Sequence, residues 1–280
     1  MKELLAQMAI DPAEFRRHLV IDEQGTKLGD VLEPWQRADF EAMDNALLEA
    51  AGRKPYDPST IRYSWQERPR GHSKSSDAAA AALWFLLFAR GAFPIIVAAA
   101  DRDQAKLVRD AIDRLVKLNP WIGGVVKVNS FEILGRSGSK LSVISCDVGS
   151  SFGATPRLVI ADEVCHWPQS TGEELWGSLF SSAGKRRECC VLSISNAGMV
   201  GTWTHQLRDR IQNNPAWRFS RLEGPQASWI TPAVLEQQQR LLLPKQFQRL
   251  WLNQWTDQEG DAIEPELIDR AIDKTLSPME

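Results

Sequence analysis

From residue 61 to residue 195, short apolar runs of strand length alternate with longer stretches whose apolar residues recur at helical spacing. This alternation constrains the fold more than any single motif. Strands and helices in strict alternation bury their apolar sides together most readily as a parallel sheet with helices on its faces. Strands are expected at 61–67, 93–99, 158–161 and 188–195. The run at 158–161 is wholly apolar, as a strand covered on both faces should be. One helix is expected from Lys74 through an alanine-rich stretch, closed by Gly91. A second is expected over 102–118, where Ala105, Leu107, Val108, Ile112 and Leu115 share a face until Asn119 and Pro120 stop it. The runs 125–134 and 141–146 flank Gly135-Arg136-Ser137-Gly138, a hairpin signal. Past Gly198 the pattern is mostly helical (203–211, 232–242 and 244–255), with one strand-like run at 217–222. The expected organisation is an N-terminal helical segment over 1–30, an α/β core over 31–215 and a small helical subdomain over 216–280.

A chain of 280 residues with 43% hydrophobic content can bury one large core of this kind. Its formal charge of -3 argues against a constitutively basic nucleic-acid coat, because phosphate-dominated binding leaves an excess of Lys and Arg. Any DNA contact is therefore local or shared between subunits. Cys146, Cys165, Cys189 and Cys190 form no CxxC pair and read as reduced thiols in the core. Cys165-His166 resembles half a metal site but has no second pair at ligand spacing. The 11 Trp are scattered without a repeat, which fits core packing better than a base-stacking platform. No apolar run is long enough to span a bilayer, and acidic residues interrupt the N-terminus where a signal peptide needs a clean apolar stretch. The expectation is a cytosolic protein with no membrane partner.

The segment Arg68-Pro69-Arg70-Gly71-His72-Ser73-Lys74-Ser75 lies between an expected strand and an expected helix, where a phosphate-binding loop belongs. There backbone N–H groups and a helix N-terminus face the anion. Lys74 would reach the β- and γ-phosphates of ATP, and the Ser75 hydroxyl would hold Mg2+. The segment departs twice from the GxxxxGK[ST] pattern, with Arg68 for the first glycine and Ser73 for the second. A Lys-Ser pair opening a helix is more often a solvated terminus, so the context decides. That context is Leu158-Val159-Ile160-Ala161-Asp162-Glu163, an apolar strand ending in two carboxylates. Asp162 would bind the Mg2+ shell and Glu163 would orient and deprotonate the attacking water. Alone, such acids could merely cap a loop; after a phosphate loop, they point to nucleotide hydrolysis. Two further elements fit. Gln36, opening a helix after Pro34, could donate to and accept from the adenine edge, although alone it is a surface glutamine. Ser195 and Asn196 end the strand after the acidic pair, where hydroxyl and amide groups can sense the γ-phosphate, although the plain reading is a strand-to-turn junction.

Taken together these residues resemble the ATPase domain of phage large terminases, in the additional-strand, catalytic-glutamate branch of P-loop motors. The resemblance also rests on PIIVAAADRDQA at 94–105, on Ser151-Phe152-Gly153 ahead of the acidic strand, and on PKQFQRLWLNQW at 244–255. It covers roughly residues 32–273, and the family tolerates a glycine-poor loop with arginine in or near it. It implies ATP-driven movement of double-stranded DNA into a capsid by a ring of subunits, with a portal protein and a small terminase subunit, in the host cell cytoplasm. In the family a nuclease domain follows; no acidic cluster of that kind is expected here, so the chain reads as a piece lacking it. The resemblance also implies a charge-stabilising arginine from a neighbouring subunit. Arg68 and Arg70 belong to their own phosphate site, leaving Arg157, and after it Arg136, as candidates to reach across an interface. The alternatives are a superfamily-2-like nucleic-acid ATPase or helicase, and a non-catalytic nucleotide-binding scaffold.

Overall fold

The computed structural model describes residues 2–146 and 155–257. Three short helices, α1 (Lys2–Met8), α2 (Pro12–His18) and α3 (Leu28–Val31), precede α4 (Pro34–Ala50). They are not a separate unit: Met8, Phe15 and Leu19 are buried in the main core, and the Trp84 indole donates to the Met8 carbonyl at 2.7 Å. The α/β alternation then runs β1 (Tyr63–Glu67), α5 (Lys74–Phe88), β2 (Pro94–Ala99) and α6 (Arg102–Leu118). It continues through β3 (Lys127–Val128), β4 (Glu132–Leu134), β5 (Lys140–Ser145), β6 (Leu158–Asp162), α7 (Gln169–Ala183) and β7 (Cys190–Ser195). Last come α8 (Trp203–Gln212), β8 (Trp217–Arg221), α9 (Pro232–Leu241) and α10 (Pro244–Trp251).

Among the described residues eight strands form one sheet in the order β3-β4-β5-β2-β6-β7-β1-β8. Every pairing from β5 to β8 is parallel, and the antiparallel pairs are confined to the β3-β4-β5 edge. The expected run at 125–134 is thus two strands, with Asn129 to Phe131 turning between them. The strand-like run after residue 215 is β8, which pairs with β1, so the sheet continues past the expected boundary at 215/216.

The period of two along each strand sends alternate side chains to opposite layers. Ile95, Val97, Leu158 and Ile160 join the core under α4, α5, α6 and the N-terminal helices. Ile96, Ala98, Val159 and Ala161 join the one containing Trp65, Trp176, Trp203 and Trp217 beside α7 and α8. Six tryptophans are buried in these layers, as the scattered spacing predicts. Helix α6 starts where the Asp101 carboxylate accepts from the Asp103 and Gln104 amides at 2.9 and 2.8 Å. Of its five apolar positions four are buried, but Leu107 is 54% exposed, because the buried stripe is narrower than the spacing alone indicates. No helix among the described residues is long and apolar enough to cross a membrane.

A candidate nucleotide site at the carboxyl edge of the sheet

Parallel strands all end at the same edge, and loops leaving that edge converge on any strand-order reversal. Here β1 and β6 flank β7, so one strand separates the loop after β1 from the acids after β6. Register finishes the alignment, pairing Glu67 with Ser195 and Asp162 with Ile194. As a result Lys74, Ser75, Asp162, Glu163, Ser195 and Asn196 meet within hydrogen-bonding reach.

The loop itself carries two left-handed residues, Gly71 at φ 76° and Ser73 at φ 50°. Ser73, where the pattern has its second glycine, adopts the backbone that glycine would supply, at a cost of about 1–2 kcal/mol for an L-residue. Lys74 is buried, donating to the Arg68 and Pro69 carbonyls at 3.1 and 3.2 Å and pairing with Glu163 at 3.3 Å. The Ser75 hydroxyl donates to Asp162 Oδ2 at 3.0 Å. Asp162 is 1% exposed and its Oδ1 has no hydrogen-bond partner among the described residues. Burial first, and the charge of Glu163 second, push its carboxyl up to about 7. A buried carboxylate with an orphaned oxygen beside a serine hydroxyl suits a hard divalent cation, which supplies the missing partner and offsets the unfavourable charge. The donor set therefore fits Mg2+.

Glu163 also has left-handed backbone, φ 50°, leading into a 3-10 turn, Val164–His166. Desolvation opposes its charge, but Lys74, His166 and the Asn196 amide outweigh it and hold the carboxyl below its ordinary value. Its Oε2 accepts from the Asn196 N–H at 3.2 Å and the Ser195 hydroxyl at 3.4 Å. Ser195 and Asn196 thus lie where their place in the sequence puts them. His166, which spacing leaves as half a metal site, stands 3.9 Å from Glu163 and 2.8 Å from Asn196 Oδ1. Its one sequence signal is a position three residues after Glu163. Among the described residues no group of three or more His, Cys, Asp or Glu could hold a metal. The cysteines are unbridged, and burial pushes the Cys189 thiol up to about 12, as inert core thiols require.

Two loop-side expectations change. Arg68 is 1% exposed, and its guanidinium donates to Asp39 at 2.9 Å, to Asp77 at 2.6 Å and to the loop's own His72 carbonyl at 3.4 Å, under the Trp35 ring. Its guanidinium is consumed by these partners, so it braces the loop, whereas Arg70 in the same loop is exposed. Gln36 is likewise turned inward: its amide donates to both Asp77 oxygens at 2.9 and 3.1 Å, and its carbonyl accepts from the Glu33 N–H at 3.1 Å. It still lines a cavity of about 520 Å³ beside Ser73, Ser76 and Trp229, next to the phosphate loop. His72 is fully buried; its Nε2 accepts from the Gln226 and Ala227 amides at 3.0 and 3.2 Å, and the Trp229 indole donates to the Gly71 carbonyl at 2.9 Å. His72 therefore clamps the 226–229 segment onto the loop, a role sequence spacing could not disclose.

Arg136 and Arg157 both lie at the amino-terminal edge of the sheet, opposite the loop: Arg157 leads into β6 and Arg136 sits in the turn before β5. Arg157 is held by Glu188 at 3.4 Å and stacks on Phe93, so its charge is already spent. Arg136 is exposed. Ser151-Phe152-Gly153 lies outside the described residues.

A parallel α/β sheet with a lysine–serine loop, an acid-ended strand and one strand inserted between them has the architecture of the P-loop fold of the additional-strand, catalytic-glutamate type. The family described as terminase large subunit, ATPase domain matches residues 56–209, more than half of the 280, and the chain belongs to that family. Among solved structures it is similar to the HK97 bacteriophage large terminase, at 17% identity and TM-score 0.71 over 91% of this chain and 55% of that one. It is also similar to the Thermus phage P74-26 large terminase ATPase domain, at 16% identity and TM-score 0.58 over 74% of this chain and 96% of that one. A third likeness is to the large terminase of a thermophilic bacteriophage in complex with ADP, at 13% identity and TM-score 0.56 over 75% of this chain and 53% of that one. The chain thus spans about half the length of the HK97 protein. No curated protein matches it in sequence.

Proposed function

We propose that this chain binds and hydrolyses ATP and that, within a longer large-terminase polypeptide, the hydrolysis moves double-stranded viral DNA into a procapsid. The observation that carries the reading is the meeting of Ser75 with Asp162 and of Lys74 with Glu163 at one strand-order reversal. The nucleoside would occupy the cavity beside Gln36 and Ser76, with the triphosphate along Gly71 to Ser75 at the N-terminus of α5. The ADP held by the thermophilic-phage relative supports a nucleotide as ligand. Ser75 and Asp162 would hold Mg2+, which when bound neutralises charge on the phosphate oxygens.

A γ-phosphate competes with Glu163 for Lys74. As the ammonium turns to the phosphate, Glu163 loses the ion pair that depresses its basicity and becomes the better acceptor for a proton of the attacking water. The Asn196 N–H and Ser195 hydroxyl orient the carboxylate meanwhile, and so report the state of the γ-phosphate to the end of β7. Arg70 would stabilise the phosphates of its own subunit, with Arg68 holding the loop. Arg136, and after it Arg157, would be tested as the cation lent to a neighbour in a ring.

Family membership supports double-stranded DNA, a portal protein and a small terminase subunit as partners, and the host cytoplasm as the place of action. The described residues form one sheet, which leaves no second RecA-like core among them for the helicase alternative. The test is Glu163→Gln: ATP binding should stay within a few-fold of wild type while turnover falls by about 10² to 10⁴. Wild-type turnover in a contaminant-free preparation would remove Glu163 from the role and favour a different hydrolytic centre.

A further inference from the structure

The segment LNQW at 252–255 is stitched to the site through a buried amide. Asn253 is fully buried and holds left-handed backbone at φ 56° without being glycine. Its Oδ1 accepts from the Ala197 N–H at 2.7 Å, and its Nδ2 donates to the Leu222 carbonyl at 2.8 Å. Its own carbonyl accepts from Arg221 at 3.1 Å. Ala197 directly follows Asn196, whose N–H holds Glu163. Beyond Asn253 the seam continues. The Trp255 indole donates to Glu67, at the end of β1, at 3.0 Å, and a Cβ on Gly198 would meet the Trp255 ring at 2.9 Å. The Val200 N–H donates to the Thr256 carbonyl at 2.8 Å, and Met199 and Thr256 form a parallel bridge. On the other side of Asn253, the Arg70 N–H in the phosphate loop donates to the Leu250 carbonyl at 2.7 Å.

We propose that Asn253 is a positioning residue for hydrolysis: by fixing the Ala197 amide it holds the Asn196 N–H on Glu163, and it ties that N–H to the 253–256 segment so that the two move as one. The inference rests on the reading of Glu163 as the water-activating base. A buried amide that satisfies one donor and one acceptor from two different segments, on a left-handed backbone that asparagine adopts more readily than other non-glycine residues, is fixed at both ends by its hydrogen bonds. Such a joint transmits a shift of the strand end rather than absorbing it. Motion of the γ-phosphate sensor is then motion of the 253–256 segment.

The experiment uses the 280-residue chain and single-turnover hydrolysis with double-stranded DNA present. Asn253→Gly keeps the left-handed backbone and removes only the side chain. It should lower the rate by about 10-fold to 10²-fold, as expected for a misplaced catalytic group, while the affinity for ATP changes less than about threefold. Asn253→Asp retains the acceptor for the Ala197 amide but loses the donor to the Leu222 carbonyl, so it should recover only part of the rate. A folded Asn253→Gly protein with wild-type rate overturns the proposal. Hydrogen exchange on the unmodified chain is the second measurement. On addition of a non-hydrolysable ATP analogue, protection of the peptides covering 196–200 and 250–257 should change together; a change in the first alone refutes the joint even if no variant folds. Glu163→Gln keeps the two readings apart: if it turns over at wild-type rate the site assignment fails, and if it is inactive while Asn253→Gly is fully active only the role of Asn253 fails.

Discussion

Replacing Arg68 separates its two possible roles, as a phosphate ligand or as a buried brace. The guanidinium is 1% exposed and lies between Asp39 and Asp77, which are 3% and 6% exposed. A surface ion pair is worth about 0–1 kcal/mol, whereas removing one partner of a buried pair costs about 3–5 kcal/mol because the remaining charge has neither water nor counterion. Burial decides between them here, so Arg68→Met should lose about 3–5 kcal/mol, roughly two to four powers of ten in the folding equilibrium. With a urea m-value of about 3 kcal/mol/M, the unfolding midpoint should fall by about 1–2 M. Burial already raises the Asp77 carboxyl above its ordinary value, against the pull of Arg68. Without the arginine Asp77 is driven to bind a proton, so the loss should be largest near neutral pH and smaller in acid, where Asp77 is protonated. Arg68→Met combined with Asp39→Asn and Asp77→Asn should be more stable than Arg68→Met alone, since no uncompensated charge remains. A midpoint within about 0.3 M of wild type, together with a large rise in the KM for ATP, would refute the brace and return Arg68 to the phosphates.

Lys74→Ala should weaken ATP binding itself, read by calorimetry, and in the absence of nucleotide should raise the Glu163 pKa, since Lys74 leads the groups that hold it down; unchanged affinity would count against the loop assignment. Asp162→Asn should shift the Mg2+ dependence of hydrolysis to higher concentration by at least about tenfold, and Ser75→Ala should do so less, because the carboxylate supplies the charge; equal effects of the two would contradict that division of labour. Burial, then the Lys74 and Arg68 charges, hold His72 below its ordinary value of 6.5 against the pull of the Arg70 carbonyl. The unfolded chain therefore takes up this proton first, and stability is lost as pH falls below about 6.5 toward the folded-state pKa. His72→Gln should flatten that part of a melting-temperature profile, and an identical slope in the variant would rule His72 out as its source. The purified 280-residue chain should leave plasmid DNA intact with Mn2+; cleavage that co-purifies and disappears on mutating its own acids would overturn this.

The alternation of strand and helix, the boundaries of α6, the loop before Lys74 and the acids after β6 are all legible in the residues alone. Each is a local signal: periodicity, a cap, a stop, or a polar pair ending an apolar run. Local order also places Ser195 and Asn196 correctly, because once β7 lies between β1 and β6 their position at its end puts them beside Glu163. What the sequence does not decide is which way a polar side chain turns. Their place in the motif points Arg68 and Gln36 at the ligand, but both face Asp77, whose carboxylate comes from the buried side of α5. The run at 217–222 reads as a strand-like stretch inside a helical appendage, and only the open edge of β1 joins it to the main sheet. His72 and Asn253 give no signal beyond their type, since their partners are 155 and 56 residues away in the chain. Spacing along a chain sets which face a residue occupies, but a buried polar group takes its role from the donor or acceptor that the tertiary fold brings to it, because leaving it unpaired costs more than turning it inward.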